Sequence, residues 1–413
     1  RTDERKVFCP YCKEEQGGKA FREEILGVIL SLMPHQTLPS LEIRPGMEVK
    51  TIMRLPRGNK VSLSNFFVSD ALFLRLLSKT VVEITNGMSL FSHSNSLDCC
   101  LEKAGEFGER TNKQNNICFD EHTNQEMKQI YENIKTIPKN SIQFIAKEIH
   151  AIGSGICVLL KLLDGADGYT LPDILLKSPK EEFIKEFLKE ESKSLWTGKV
   201  ERLEISRYAL EILPKLRIHE ESVLEKLILS ADHPMHATEI LKTENNSIWI
   251  GKVRELLEVF GYATGILPKL RIHEENVMEL LSLDADKPEH IAEILKTENN
   301  SIWIGRMKQL NLRRYAVGIL PKLKIHEDNV MEWLSLEADK PEHIAGILKA
   351  ENNSIWIGKV QELLGLIGYA AGILPKLRIH EDNEMETLSL DSNIPGSVAE
   401  ILKTENKSIL VGK

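Results

Sequence analysis

Cysteine is scarce in this 413-residue chain, and the few that occur are unevenly placed. The sequence has six cysteines, and none of them follows Cys157. A small domain held together by disulfides would carry many cysteines at regular spacings. We therefore expect no disulfide framework and a reducing, cytoplasmic location. Secretion stays open, because the sequence begins at Arg1 and a leader could precede it.

Long apolar runs and an excess of positive charge are also missing. No stretch reaches the roughly 18 uninterrupted apolar residues that a membrane-spanning helix needs. Lysine and arginine number 53 against 61 for aspartate and glutamate, which gives a net charge of -8. A chain of this charge is not attracted as a whole to nucleic-acid backbones. We expect no membrane span and no nucleic-acid partner.

The sequence also lacks recognisable catalytic and metal-binding motifs. The sequence has no glycine-rich phosphate loop, no serine, histidine and aspartate constellation and no second C-x-x-C motif to complete a zinc site. We therefore expect a protein without catalytic activity, without a cofactor and without a metal ion.

What the chain has in abundance is repetition. Three residue types recur every 53 or 54 positions, and a fixed period of this length is the signature of a repeat architecture. They are Trp196, Trp249, Trp303 and Trp356; Pro214, Pro268, Pro321 and Pro375; and His219, His273, His326 and His380.

Each period contains two halves that share an L-x-L pattern, preceded by an aliphatic residue or methionine. In L-x-L both leucines point to one side of a strand, and the residue between them points to the other. At Leu257 and Leu364 the earlier apolar residue lies one place further upstream, which predicts a one-residue β-bulge. The first half of each period is 24 residues long, and the second half is 29 or 30 residues long. These lengths are the distances between the central leucines, Leu203, Leu227, Leu257, Leu281, Leu310, Leu334, Leu364 and Leu388.

These units resemble leucine-rich repeats, in particular those of the ribonuclease-inhibitor-like branch, in which short strands alternate with helices. The resemblance implies an α/β solenoid with a curved parallel sheet on its concave face and α-helices on its convex face. Residues 148–413 then form regular repeats in double units, truncated at the C-terminus, and residues 1–147 form degenerate N-terminal repeats.

Between the strands, the sequence predicts helices and a return segment. The stretches YALEILPKL and DKPEHIAEILKTEN carry apolar residues at helical spacing. Asp286 and Glu289 fit a capping box, with Pro288 in the first helical turn. The phrase ENNSIWIGK is then expected to stop the helix and lead through a glycine to the next strand. We expect Trp249 and its counterparts to cover the gap between adjacent helices.

One position departs from the resemblance. Three residues after the last strand leucine, the family usually has asparagine or cysteine, which form a ladder that binds backbone groups at the turn. An aspartate at this position accepts hydrogen bonds but cannot donate them, and could cap the following helix instead. The residues here are Tyr208, Tyr262, Tyr315 and Tyr369 in the first halves and Asp232, Asp286, Asp339 and Asn393 in the second halves.

A short N-terminal motif points to a different chemistry. Cys9-Pro-Tyr-Cys12 is the tetrapeptide of glutaredoxin active sites, in which a thiolate attacks disulfides. The residues that follow do not continue this resemblance. The same letters also fit a strand and turn of a repeat, and we favour that interpretation. Thiol-disulfide oxidoreduction at Cys9 and Cys12 is the alternative function.

The outward strand positions are the candidate binding surface. They differ in size and charge from copy to copy, whereas the helices and return segments hardly change. Tryptophan and arginine are enriched at protein interface hot spots. Phe260, Arg313, Arg314 and Trp333 are therefore the candidate binding site for a protein partner, and neutral drift after duplication is the competing explanation of the variation. We expect a non-catalytic scaffold; a purely helical solenoid would leave the M-x-x-L-x-L pattern unexplained.

Overall fold

The computed structural model describes most of the chain after residue 115 and shorter stretches before it. The described residues are 7–8, 15–16, 35–43, 52–54, 59–92, 100–101, 116–163, 170–171, 173–189, 195–196, 199–218 and 223–391. The chain divides into two compact units: residues 1–90, 96–112 and 128–143, and residues 91–95, 113–127 and 144–413. The predicted division into degenerate and regular repeats stays a prediction.

The first unit contains a small parallel sheet tied to a helix by one asparagine. The side chain of Asn133 is buried; it accepts a hydrogen bond from Val82 N and donates to Leu77 O and Thr80 O. This amide therefore holds the end of one helix against the start of a strand. The sheet consists of Ser40–Ile43, Lys60–Leu63 and Val81–Ile84. The helices are Asp70–Lys79 and Asn124–Ile134, and residues 128–134 of the latter belong to this unit.

The sequence also predicts helical stretches at residues 21–33, 69–78 and 124–135. The two helices confirm the second and third stretches, and the first lies outside the described residues. Further short strands complete the N-terminal third. They are Val7–Phe8, Glu15–Gln16, His35–Thr37, Ile52–Arg54, Phe67–Ser69, Met88–Phe91, Cys100–Leu101 and Ile142–Ile145.

A 13-stranded parallel sheet dominates the second unit and confirms the predicted α/β solenoid. Eleven of its strands form one continuous ladder in chain order. They are β1 (Asn116–Phe119), β2 (Glu148–Ile152), β3 (Asp173–Ser178), β4 (Arg202–Arg207), β5 (Val223–Ala231), β6 (Ile248–Gly261), β7 (Val277–Ala285), β8 (Arg306–Arg314), β9 (Val330–Ala338), β10 (Ile355–Gly368) and β11 (Thr387–Asp391).

The register of this ladder follows the leucine pattern. From β4 to β11 all eight central leucines lie side by side in one row, as the spacing predicts. Leu281 and Leu334 in this row are completely buried. The row continues upstream through Ile174 and Ile149, which the sequence also predicts because they lie 29 and 54 residues before Leu203. Inward-pointing aliphatic side chains from every strand therefore build one continuous core.

The predicted β-bulges are present. Between β5 and β6, Leu224 pairs with Val253 and Lys226 pairs with Leu256, so β6 has one extra residue. β10 has the same extra residue, between Val360 and Leu363, where it pairs with β9. The bulge absorbs the one-place shift in the apolar pattern and keeps the later leucines in register.

The helical connections are tighter than predicted. From β4 onward, each first half forms a 3-10 helix of eight residues, because the segment is short and its proline has no N–H to donate to an α-helical turn. The second halves that begin at β5, β7 and β9 each form a 3-10 turn followed by one turn of α-helix. The 3-10 helices of the first halves are Tyr208–Lys215, Tyr262–Lys269, Tyr315–Lys322 and Tyr369–Lys376. The second halves contain Pro234–Ala237, Pro288–Ile291 and Pro341–His343, and then Thr238–Leu241, Ala292–Leu295 and Ala345–Leu348.

The capping box predicted at Asp286 and Glu289 is wrong, although Pro288 does begin the helix. The helix is preceded by Lys287, and no side chain caps it. The Asp286 carboxylate instead lies 3.2 Å from Nδ1 of His290, one turn further along. The Asp286 carboxylate therefore lies beside the His290 ring instead of capping the helix.

The ENNSIWIGK phrase follows the helix rather than stopping it, because the helix Ala292–Leu295 already ends before Glu298. The second asparagine, for example Asn300, lies in the turn after the helix and has a positive φ of 54°. The Ile-Trp segment then pairs in parallel with a short strand of the next first half, Ile302 with Leu323. Gly305, at φ 76°, turns the chain into β8. The repeated phrase therefore builds a second, short ladder on the side of the solenoid.

The tryptophans of this phrase pack on that short ladder. The ring of Trp249 meets the ring of His273 edge-on at 5.9 Å, and the Arg271 guanidinium lies 5.3 Å from the Trp249 ring centre. His273 also accepts a hydrogen bond from the backbone N–H of Glu275, which places this repeated histidine in a turn.

The second unit contains further short strands and helices. The strands of the short ladders are Thr170–Leu171, Leu195–Trp196, Lys199–Val200, Leu216–Arg217, Leu270–Ile272, Ile302–Trp303, Leu323–Lys324 and Leu377–Ile379. The remaining helices are Gly155–Leu163, Glu181–Phe183 and Lys185–Leu188.

A set of buried asparagines, which the sequence pattern did not reveal, links successive strands. The side-chain oxygens of Asn276, Asn329 and Asn383 accept hydrogen bonds from the backbone N–H groups of Val253, Met307 and Val360, at 2.7, 2.9 and 2.7 Å. The carbonyl of Asn276 also accepts a hydrogen bond from Arg306 N at the start of β8. One asparagine therefore connects the strand before it with the strand after it.

Removing one of these amides should destabilise the array. We expect Asn329→Ala to lower the free energy of unfolding by about 1–3 kcal/mol, because the buried N–H of Met307 loses its acceptor. Urea unfolding followed by circular dichroism measures the change. Asn352→Ala, at an exposed position, is the control and should have little effect. Equal stability of the two variants would contradict a structural role for Asn329.

Two glycines should respond in opposite ways to the same added methyl group. A Cβ on Gly261 would lie 2.2 Å from Ala231 O, and φ there is +63°. We expect Gly261→Ala to cost about 1–3 kcal/mol or more. A Cβ on Gly346 meets no atom within 4 Å, and this residue lies in a helix. Gly346→Ala should therefore raise the free energy of unfolding by about 0.5–1 kcal/mol. Urea unfolding measures the change in both variants. A loss of stability at both positions would contradict the open environment of Gly346.

Candidate protein-binding face

The outward side chains of β4 to β11 form one surface, here called the open face. Three rows cross the strands on it, each in register from strand to strand. The entry row is Arg202, Lys226, Leu256, Leu280, Gln309, Trp333, Leu363 and Thr387. The central row is Glu204, Ile228, Glu258, Ser282, Asn311, Ser335, Gly365 and Ser389. The exit row is Ser206, Ser230, Phe260, Asp284, Arg313, Glu337, Ile367 and Asp391.

The four predicted site residues do not lie together: Phe260, Arg313 and Arg314 are at the exit end of the strands, and Trp333 is in the entry row. Phe260 and Arg313 lie in the exit row, separated only by Asp284 of β7. Nε of Arg313 lies 3.5 Å from a carboxylate oxygen of Glu337 on β9. Trp333 lies in the entry row, four residues before Glu337, which corresponds to about 13 Å along the strand. Trp333 is therefore apart from the other three residues.

Arg314 is held in place at the end of β8. Its Nε and one terminal nitrogen donate to the two carboxylate oxygens of Asp284, at 2.7 and 2.6 Å. This hydrogen-bonded pairing raises the pKa of Arg314 above its usual range. The backbone at Arg314 has φ +56°, a conformation that Gly261 and Gly368 occupy at the matching positions. A non-glycine residue there carries about 1–3 kcal/mol of strain, so the Asp284 pairing has to hold it against that cost.

A cavity of about 590 Å³ opens at the exit edge of the face. Two predicted site residues, Phe260 and Arg314, line it, together with Asp284, Lys287 and His290. The lining therefore combines one aromatic ring with side chains of both charge signs. Such a mixture suits recognition of polar groups next to an apolar side chain.

His290 connects this cavity to the repeat framework. It is buried, and its ring meets the Tyr262 ring edge-on at 4.3 Å. Burial lowers the pKa of His290, and the nearby Asp286 carboxylate opposes this shift. Tyr208 with His236 and Tyr315 with His343 repeat the arrangement. The tyrosines at the position where the family has its usual ladder thus pack on histidines.

The open face is strongly charged at its N-terminal end. Arg202 of β4 donates to Glu204 at 3.0 Å and lies 3.8 Å from Glu148 and 3.9 Å from Asp173. Burial raises the pKa of Asp173, while Arg202 counteracts the shift. Glu258, in the central row of β6, also has a raised pKa because of burial, partly offset by Arg313.

The entry row contains an apolar stripe that was not predicted from the sequence. Leu256, Leu280 and Leu363 are half-buried, and Trp333 is 48% exposed. The sequence pattern that could have revealed this stripe is the residue immediately before each central leucine, which is apolar in these four copies. Trp333 is thus one member of a larger apolar feature.

Among the residues that the structure describes, no group of three or more histidine, cysteine, aspartate or glutamate side chains could hold a metal ion. The helices described here include none with both the length and the apolar character to cross a bilayer. Cys9 and Cys12 lie outside the described residues. Comparisons with protein-family models, curated proteins and solved structures give no match.

Acid should weaken the framework through His290. An unfolded histidine takes up a proton near pH 6.5, whereas buried His290 stays neutral to a lower pH. Its stabilising contribution is therefore complete above about pH 6.5 and is lost as the pH falls below that value. The charged groups around the ring are Asp286, Lys287, Glu289 and Arg314.

We expect the free energy of unfolding to fall less steeply between about pH 6.5 and 5 in His290→Asn than in the unmodified chain. Urea unfolding at a series of pH values gives the two slopes. His326→Asn, at a half-exposed turn histidine, is the control. Equal slopes for His290→Asn and the unmodified chain would contradict the assignment.

Proposed function

We propose that this chain is a non-catalytic leucine-rich-repeat protein of the ribonuclease-inhibitor-like type that binds another protein through the open face. What supports the family is the combination of units of 24 and 29 or 30 residues, a parallel ladder with the L-x-L leucines inside, and a short helical segment after each strand. The 3-10 helices are compatible with it, because they fill the same place between strands.

The observation that carries the binding role is the contrast between the two sides of each strand. Inward positions repeat almost without change, since all of them fill the same core. Outward positions differ: the exit row has Phe260, Asp284, Arg313, Glu337 and Ile367 on five successive strands. A repeat framework that holds varied side chains in fixed register is suited to recognising one irregular protein surface.

Two exposed side chains on this face have the properties of binding hot spots. Trp333 is 48% exposed, yet its indole N–H is held by the Glu362 carboxylate at 2.7 Å. Arg313 is paired with Glu337 at the surface. Both are large, positioned by a neighbour and open to contact, so little conformational entropy is lost when a partner covers them.

The proposal is tested by capturing partners with the immobilised full chain from an extract of the source cells. Trp333→Ala combined with Arg313→Ala should lose most of the capture, because it removes both hot spots. The matched control is Leu295→Ala with Lys296→Ala, a similarly exposed apolar and cationic pair on the helical side. Retained capture by the face variant, or an equal loss in the control, would contradict binding through the open face. Circular dichroism checks that both variants are folded.

A further inference from the structure

In the C-terminal half of the open face, a row of small side chains runs across the strands between two rows of larger ones, an arrangement that we describe as a trough. Its floor is the central row from β7 to β10: Ser282, Asn311, Ser335 and Gly365. All four are small, whereas the rows on both sides carry larger side chains. The entry wall is Leu280, Gln309, Trp333 and Leu363, and the exit wall is Asp284, Arg313, Glu337 and Ile367. These residues define the docking trough.

A Cβ could be added at Gly365 without a clash, although the glycine itself is buried. A Cβ built there would meet only Leu334 O at 3.9 Å and Ser335 Oγ at 4.0 Å, which is ordinary contact. The glycine is therefore not required by the backbone or by the neighbouring strands. Its lack of a side chain leaves the trough deeper at this point.

The two walls have different character. Leu280, Trp333 and Leu363 make the entry wall apolar, and Leu256 on β6 extends it by one strand. The exit wall is mainly charged, and its Arg313 and Asp284 are paired with Glu337 and Arg314. A ligand in the trough would bury apolar surface on one side only, so it must itself be amphipathic.

A row of glutamates borders the apolar wall. The residue before each entry-row position is glutamate on every strand from β4 to β11 except β8. Glu279 pairs with Lys308 at 2.9 Å, the single cation of the row, and Glu362 holds the Trp333 indole. The row is Glu201, Glu225, Glu255, Glu279, Lys308, Glu332, Glu362 and Glu386. A ligand whose apolar side meets the wall would thus bind more tightly if it carried positive charge next to that side.

The dimensions fit an α-helix. Entry and exit rows are four residues apart, which is about 13 Å, and a helix with its side chains is about 10–12 Å wide. From β6 to β10 the wall spans about 19 Å, the length of roughly 13 helical residues. An extended peptide has no strand edge to pair with here, because every ladder strand in the trough is hydrogen-bonded on both sides.

We propose that the docking trough binds a basic amphipathic helix of a partner protein, with its apolar side on Leu280, Trp333 and Leu363 and its lysines or arginines beside the glutamate row. This assignment rests on the proposed function and names the partner class for the same face. A second copy of this chain would bring an acidic row against an acidic row, so like-charge repulsion opposes it.

The first test uses a synthetic 14-residue leucine and lysine helix whose lysines flank a leucine face, titrated into the full chain by fluorescence anisotropy. Gly365→Gln should weaken binding about tenfold or more, since it fills the floor without removing a native contact. Ser335→Gln fills the next floor position and gives a second measurement if Gly365→Gln is poorly folded. An isomeric peptide without an apolar face should not bind.

The second test concerns charge. Glu332→Gln with Glu362→Gln should weaken the same peptide about fivefold at low salt and less at high salt, because salt screens exposed charges. Glu298→Gln with Glu351→Gln removes the same charge from the return segments and is the matched control. A peptide with glutamate in place of lysine should bind much more weakly than the basic one.

Each outcome decides the assignment. Failure of the basic peptide to bind, or binding unaffected by both floor variants, overturns it. A dimer of the unmodified chain in size-exclusion chromatography that Gly365→Gln dissociates also overturns it, because the occupant would be a second copy. If Trp333→Ala with Arg313→Ala abolishes partner capture but both floor variants capture normally, the trough is wrong and the open-face function stands. If neither set affects capture, the proposed function itself is wrong.

Discussion

Every other feature of the second unit depends on the alignment of the central leucines across parallel strands. Side chains alternate along a strand, so a row of leucines that stays in register turns all of its neighbours outward together. A slip of one residue would bury Arg313 and expose Leu312. The bulges in β6 and β10 are the means by which the chain keeps this alignment despite an extra residue in each. The core and the open face are thus two results of one register.

The sequence predicted this part of the fold because the pattern and the structure share a period. Alternation within L-x-L and the distances between copies suffice to place Leu281 beside Leu310. The displaced apolar residue at Val253 predicted the bulge for the same reason. The helical segments were predicted less accurately, since apolar spacing cannot distinguish one turn of α-helix from a 3-10 helix when Pro268 follows within a few residues.

Features that depend on contacts between distant residues were not predictable in this way. Asn276 lies in a turn, and its acceptor role emerges only when Val253, 23 residues earlier, comes beside it. Asp286 has the sequence context of a helix cap, but in three dimensions its carboxylate lies next to the imidazole of His290, 3.2 Å from Nδ1. The four candidate site residues come together only in part: Phe260 and Arg313 share a row, whereas Trp333 belongs to an apolar stripe that emerges only when the strands are aligned.

The buried asparagines and the short side ladder have a consequence for how such an array changes in length. An asparagine of this set stands ahead of β7, β9 and β11, and the Ile-Trp segment pairs only with a first half, so the two kinds of half are not interchangeable. Duplicating or deleting a whole 53- or 54-residue pair regenerates every junction. Inserting a single half would leave a backbone N–H without its asparagine acceptor and an Ile-Trp segment without a strand to pair with. The array can therefore gain or lose whole pairs without breaking a junction, which fits the near-identity of copies one full period apart.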